Sequence, residues 1–146
     1  MPTGKMSKAD FETLAEFRYA LRRFLRFSED VTRKGGVTPL QYQLMLQIRG
    51  FPGRDWANVD ELAERLQAKH HGVVALISRC EEAGLVKRNA GRIDKRRVEV
   101  QLTKRGEERL ELLARRHRDE LQSAKDGFTV FSRTSAQRDE GSRHTG

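Results

Sequence analysis

One cysteine, Cys80, stands among 146 residues, so an intrachain disulfide is impossible and a structural zinc site has no thiolate set to build on. No apolar run approaches the length of a membrane span. The opening residues carry no apolar core of signal-peptide type, so the chain is expected to be cytoplasmic with no membrane partner. No glycine-rich phosphate loop follows a strand pattern, and no nucleophile, base and acid recur at usable spacing. An enzyme is therefore not expected, and the residues require neither a cofactor nor a metal.

What the chain has in excess is positive charge. Lys and Arg number 29 against 21 Asp and Glu, for a formal net charge of +8. A basic balance suits a polyanionic partner but also fits any soluble basic protein, so its distribution decides. Between Gly84 and Arg105 the chain carries Lys87, Arg88, Arg92, Lys95, Arg96, Arg97, Lys104 and Arg105 against only Asp94 and Glu99. The excess is local, which points to a specific anionic surface.

Apolar spacing gives the organisation of one domain. From residue 9 to about 34, Phe11, Leu14, Phe17, Leu21, Phe24, Leu25 and Val31 recur at helical spacing with Ser28 in the seam. Such a phenylalanine-rich stripe is more than one surface helix needs, and it suggests an interface with a second copy. Gly35 and Gly36 end it. Thr38, Pro39, Leu40 and Gln41 open a second helix with a capping box, and Leu40, Leu44, Met45 and Ile48 are its expected buried face. Trp56 reads as a packing plug in the following connection.

Asn58 and Glu61 form a second capping-box pattern, opening a helix over about 59–66 that buries Leu62, Ala63 and Leu66. The next helix runs from about 69 to 83. Val73, Leu76, Ile77 and Cys80 repeat at helical spacing and take its core side, which leaves His71, Gly72, Val74, Ala75, Ser78 and Arg79 outward. That face is small and polar, as a helix entering a major groove about 12 Å wide requires. Leu85 to Arg88 reads as a short strand, and Val98, Val100 and Leu102 alternate with Arg97, Glu99 and Gln101 as a half-buried one. A basic loop from Asn89 to Lys95, including Ile93, joins them. Thr103 caps a last helix with the stripe Leu110, Leu113, Ala114, His117, Leu121 and Ala124, extending weakly to Phe128 and Phe131. The polar stretch 126–146 is expected to be a flexible tail, and 1–8 an N-terminal tail.

This order resembles the winged-helix regulators of the MarR (multiple-antibiotic-resistance) type. The likeness rests on Leu62 and Ala63, on Gly84, Leu85 and Val86, on the run Asp94, Lys95, Arg96, Arg97, Val98, and on Leu102, Thr103, Lys104, Arg105, Gly106. Thr38, Pro39, Leu40 and Gln41 add to it. The resemblance implies a mostly α fold with a small β-wing: a winged helix-turn-helix over residues 9–125, flanked by long dimerisation helices at 9–34 and 103–125. It implies a homodimer on double-stranded DNA, with recognition helices in major grooves and wings at minor grooves. Asp94 and Arg96 match the family's wing Asp-x-Arg pair, in which the carboxylate steers an arginine. A bidentate pair is the expected geometry.

The expected function is a sequence-specific dimeric transcriptional regulator, a repressor released by a small-molecule effector. His70, His71, Gly72, Ala75, Ser78 and Arg79 are its base-reading candidates. Lys87, Arg88, Arg92, Asp94, Arg96 and Arg97 are its wing, and Thr38, Gln41 and Lys69 its DNA-backbone contacts. Phe11, Leu14, Phe17, Leu21, Leu113 and Leu121 are the dimerisation candidates. Three departures from the family stand out, the largest being that the apolar pattern fades after Leu121, where the family continues with a second long dimerisation helix, so pairing is expected to depend more on the first helix. Lys69 occupies the turn where a capping Ser or Thr is usual, and Gly72 weakens the recognition helix by about 1 kcal/mol relative to Ala. Two alternatives remain open: a winged helix that binds protein without reading DNA, and a thiol sensor acting through Cys80, although the spacing of Cys80 places it on the buried side. His70 and His71 are neighbours and lack the i, i+4 spacing that shares a zinc ion. His117, on an apolar stripe, reads as a packed or hydrogen-bonded histidine.

Overall fold

The computed structural model describes residues 4–92 and 94–123. The sequence expectations for the 126–146 tail and for Ala124, Phe128, Phe131 and Ile93 lie outside the described residues. Five helices and three strands follow in the order α1 (Lys8–Lys34), α2 (Pro39–Arg49), β1 (Trp56–Asn58), α3 (Val59–Leu66), α4 (His70–Glu82), β2 (Val86–Ala90), β3 (Val98–Leu102) and α5 (Lys104–Ser123). The fold is mostly helical, with a small antiparallel sheet forming the wing. Two compact units divide the chain, one being Glu29–Arg116 and the other built from α1 up to Ser28 and α5 from His117.

Helix starts follow side-chain chemistry. Ser7 and Asp10 cap α1 reciprocally, each side chain accepting the other's backbone N–H at 3.1 and 3.0 Å. Thr38 with Gln41, and Asn58 with Glu61, form the two capping boxes expected from sequence. Each box satisfies two otherwise orphaned helix N–H groups. By contrast, α4 begins after Lys69 with no side-chain cap.

In the Glu29–Arg116 unit the core is Leu44, Met45 and Ile48 of α2, Leu62 of α3, Val73, Ile77 and Cys80 of α4, and Val100 of β3, all at most 1% exposed. Helix α2 touches α3, α4, β1 and β3. This corrects the expected face of α2: Leu40 is exposed, whereas Tyr42, on the side away from Leu44 and Ile48, is buried. A helix surrounded by neighbours has no single dry stripe. Burial also pushes the Tyr42 hydroxyl's pKa above its ordinary value of 10.0.

The sheet order is β1-β3-β2, with Ala57 opposite Val100 and Val86 opposite Leu102. Strand β1, three residues long, was not visible as a strand in the apolar pattern. Strand β2 begins at Val86 and runs to Ala90, so Asn89 and Ala90 belong to the ladder and not to the loop. In β3, Val100 and Leu102 are buried as expected, but Glu99 is buried too and Val98 is exposed. The strand's other face is therefore covered rather than open to solvent.

Thr103 joins sheet and helix: its hydroxyl donates to Gly84 O at 2.6 Å and accepts from Gly106 N at 3.0 Å. Gly106 lies so close to Leu85 that a Cβ there would fall 2.0 Å from the Leu85 carbonyl oxygen. Leu113, expected at a dimer interface, is instead buried within this unit beside Gly35. Arg109 also donates to the Gly35 carbonyl. In the other unit His117 is buried, bonded to Ser28 Oγ at 2.8 Å, with the Phe24 and Phe27 rings edge-on. It is a packed, hydrogen-bonded histidine. Gly106→Ala is expected to destabilise the fold by about 1–3 kcal/mol, because the backbone itself must move; a lowered urea midpoint at unchanged slope would register it.

Candidate nucleic-acid interface

The candidate surface starts from a turn. Helix α3 ends at Gln67, which adopts a left-handed conformation at φ 50. Its side-chain amide donates to Glu64 O at 2.8 Å and Glu64 Oε1 at 3.1 Å. The chain then enters α4 at His70. Burial of Val73, Leu76, Ile77 and Cys80 fixes the rotation of α4, and the opposite line is His71, Ala75 and Ser78, flanked by Gly72, Val74 and Arg79. Of these, His71, Gly72, Val74, Ala75 and Arg79 are exposed and Ser78 is half-buried. Nothing lies within 4 Å of where a Gly72 Cβ would be, so the space beside it is open. His70 is exposed but engaged, its Nδ1 lying 2.9 Å from Asp60 Oδ1 of α3.

The wing residues fall into two groups. Lys87, Arg92, Lys95, Arg96 and Arg97 are exposed. Arg88 is not: its side chain turns onto α4 and is 29% exposed. The Asp94–Arg96 pair exists, with Asp94 Oδ1 accepting Arg96 N at 3.0 Å and lying 3.4 Å from Arg96 Nε. Both contacts run to the single Oδ1 atom and only one involves the guanidinium, so this is not the expected bidentate fork, and the Arg96 side chain is 93% exposed. A pair so open to water restrains the guanidinium weakly. Thr38 and Gln41 sit exposed or half-buried at the start of α2 with their oxygens committed to the cap. Lys69 is exposed in the turn.

Under the wing, Gly91 is buried because its backbone runs against Asp94 and Arg97, whose carbonyl oxygens would lie 2.1 and 2.6 Å from a Cβ. Here Glu99 accepts Arg92 N at 3.1 Å, with Arg92 Nε at 3.9 Å. The wing loop thus covers the face of β3 that alternation assigned to solvent. A cavity of about 400 Å³ lies alongside, lined by Arg54, Trp56, Asn58, Glu61, Gly91, Asp94, Arg97 and Glu99. Arg54 stacks over both Trp56 and Phe51 and pairs with Glu61, so Trp56 serves as packing, as expected. Among the described residues, no group of three or more His, Cys, Asp or Glu is placed to hold a metal, and no helix is long and apolar enough to cross a membrane.

Residues 35–97, which contain the helix-turn-helix and most of the wing, match the sequence model of the MarR family. The matched segment is similar to MarR-family winged helices. A Thauera aromatica protein assigned to transcriptional regulation of the hcr operon is 28% identical over 114 residues, covering 70% of this chain and 67% of its own. Among solved structures, AbsC, a MarR-family transcriptional regulator from Streptomyces coelicolor, superposes with a TM-score of 0.73 at 19% identity, covering 97% of this chain and 99% of its own. A variant of S. aureus MepR bound to an oligodeoxyribonucleotide gives 0.62 at 15% identity, covering 94% and 99%. These solved structures share the fold of this chain.

Cys80 is fully buried, and burial pushes its thiol from 9.0 to about 11. The thiolate is the reactive form, so the folded protein suppresses it. Because the folded state favours the protonated thiol, that stabilisation is complete below the ordinary thiol value and is lost as pH rises from 9.0 through about 11. Cys80 is expected to resist iodoacetamide in the folded protein at about pH 8 and to react once urea unfolds it. Stability should fall less steeply above pH 9.0 in Cys80→Ala than in the wild type, as measured by urea titration across that range.

Proposed function

We propose that this protein is a sequence-specific, DNA-binding transcriptional regulator that works as a homodimer and is a repressor relieved by a small-molecule effector. The single observation that carries the DNA reading is the outward face of α4. Its rotation is fixed by four buried residues, and its free side offers small and polar groups of groove-reading type beside exposed wing cations. Under this reading His71, Gly72, Ala75, Ser78 and Arg79 meet base edges, with His70 at the margin. Lys87, Arg92, Arg96 and Arg97 meet phosphates or a minor groove, where a narrow groove concentrates negative potential. Lys69, Thr38 and Gln41 lie at helix starts, where phosphate contacts are favoured. The binding of MepR to an oligodeoxyribonucleotide supports the same use of the fold.

Dimerisation is supported by the exposed apolar residues of α1. Phe11 is 57% and Leu14 46% exposed, Phe17 and Leu21 are half-buried on the same stripe, and Leu121 of α5 is 41% exposed. A contiguous exposed stripe of this kind marks an interface, and a second copy gives the symmetric, self-complementary contact most soluble oligomers use. Leu113 takes no part. An effector would act by changing the separation of the two reading heads, and the cavity at the wing base has the volume of small-molecule sites, roughly 300–1,000 Å³. Neither rival, a protein-binding winged helix or a thiol sensor, has a specific observation in its favour, and the buried Cys80 weighs against the second.

Titration of random and genomic duplexes at several salt concentrations tests the reading. Affinity is expected to fall linearly with salt on logarithmic axes, as counterion release requires. Arg96→Ala should weaken binding to every sequence alike and lower the salt slope by about 1. Unchanged affinity in that variant would remove the wing from the mechanism. Phe11→Glu with Leu14→Glu, both at exposed positions, should keep helical content yet halve the mass in sedimentation and abolish joint protection of two half-sites; a dimer that survives both changes would place the interface elsewhere.

A further inference from the structure

Arg88 differs from every other cation of the hairpin. Its Nη1 donates to Glu81 Oε1 at 2.9 Å, and its Nη2 donates to Ser78 Oγ at 2.9 Å and to Val74 O at 3.3 Å. Its backbone N–H donates to the second carboxylate oxygen of Glu81 at 3.3 Å. All of these acceptors belong to α4. The side chain is 29% exposed, against 93% for Arg96 and 72% for Arg92. A guanidinium can serve several acceptors at fixed angles, which an ammonium on a flexible stem cannot reproduce.

The consequence falls on Ser78. Its hydroxyl donates to Val74 O at 3.1 Å, the back-bond to residue i−4 open to a helical serine. A hydroxyl has one proton and two lone pairs. The proton is committed to Val74 and one lone pair to Arg88. What is left for a groove partner is a single acceptor lone pair. A free serine rotor accepts or donates indifferently; this one is held in one role. In the major groove the donors are the exocyclic amino groups, N6 of adenine and N4 of cytosine, whereas the O4 of thymine and the O6 of guanine are acceptors.

We propose that Arg88 is a positioning residue and not a phosphate contact, and that by fixing the Ser78 hydroxyl as an acceptor it makes α4 select a base bearing an exocyclic amino group at that step. Glu81 completes the device by holding the guanidinium from the next turn of the helix. The inference rests on the DNA-binding reading and goes beyond it by dividing two residues that sequence placed together among the contacts.

The test is selection of bound duplexes from a randomised pool by the full-length protein. Titration of wild type, Ser78→Ala, Arg88→Lys and Arg88→Gln on the selected duplex and its single-base variants then follows, at several salt concentrations. The expected result is an amino-bearing base at one position, preferred about fivefold to tenfold, as one hydrogen bond gives. That preference should be lost in all three variants, with the salt slope unchanged. Arg88→Lys is the deciding variant, since it keeps the charge and its folding can be checked by helical content. If Arg88→Gln lowers the slope by about 1 on every duplex while Arg88→Lys restores it, Arg88 neutralises a phosphate and the proposal falls. If the Ser78-dependent preference is for thymine or guanine, the acceptor assignment falls. Absence of salt-sensitive binding by the wild type to any duplex would overturn the DNA-binding reading, and this inference with it.

Discussion

The burial of Val73, Leu76, Ile77 and Cys80 against α2, α3 and the sheet is the constraint from which the rest of the reading surface follows. Four side chains at helical spacing leave α4 one rotational setting. A cavity or an unpaired polar group would result from any other, at roughly 2–5 kcal/mol for each large side chain displaced. The residues on the far side are thereby released from packing duty. Their composition can answer to a partner, and the small side chains there allow a close approach that a larger set would prevent.

The sheet extends this constraint outward. Val100 is anchored in the same core, and its strand lies between β1 and β2. Glu99 on the other face receives the wing loop through Arg92. The wing is therefore rooted at both faces of one strand, while its tip carries the exposed cations. An anchored root with exposed arginines at the tip suits electrostatic contact, since long side chains reach outward without the backbone having to move. Arg88, at the root, is of a different kind because its acceptors all lie on α4.

Much of this was legible in the sequence because helix periodicity and capping chemistry are local. Thr38 with Gln41 and Asn58 with Glu61 are fixed by four-residue patterns, and α3 spans 59–66 as its spacing requires. What was not legible depends on neighbours. The burial of Tyr42 follows from α2 being surrounded, and the burial of Glu99 from a loop folding back over its strand. Leu113 sits on an apolar stripe, but a stripe does not say whether its partner is the same chain or a second copy. Strand β1 is too short for alternation to register. For Arg88 the spacing of Ser78 and Glu81 three apart on α4 is visible in the sequence, yet only the hairpin's register aims the arginine at them.

Gln67 carries a consequence for how the turn between α3 and α4 is held. A non-glycine residue in the left-handed region costs roughly 1–2 kcal/mol, and here two side-chain hydrogen bonds to Glu64 offset it. Glycine would sit there without strain but without those two hydrogen bonds. Glutamine closes the end of α3 with its own side chain, so the turn toward α4 leaves from a helix end whose last carbonyls are satisfied.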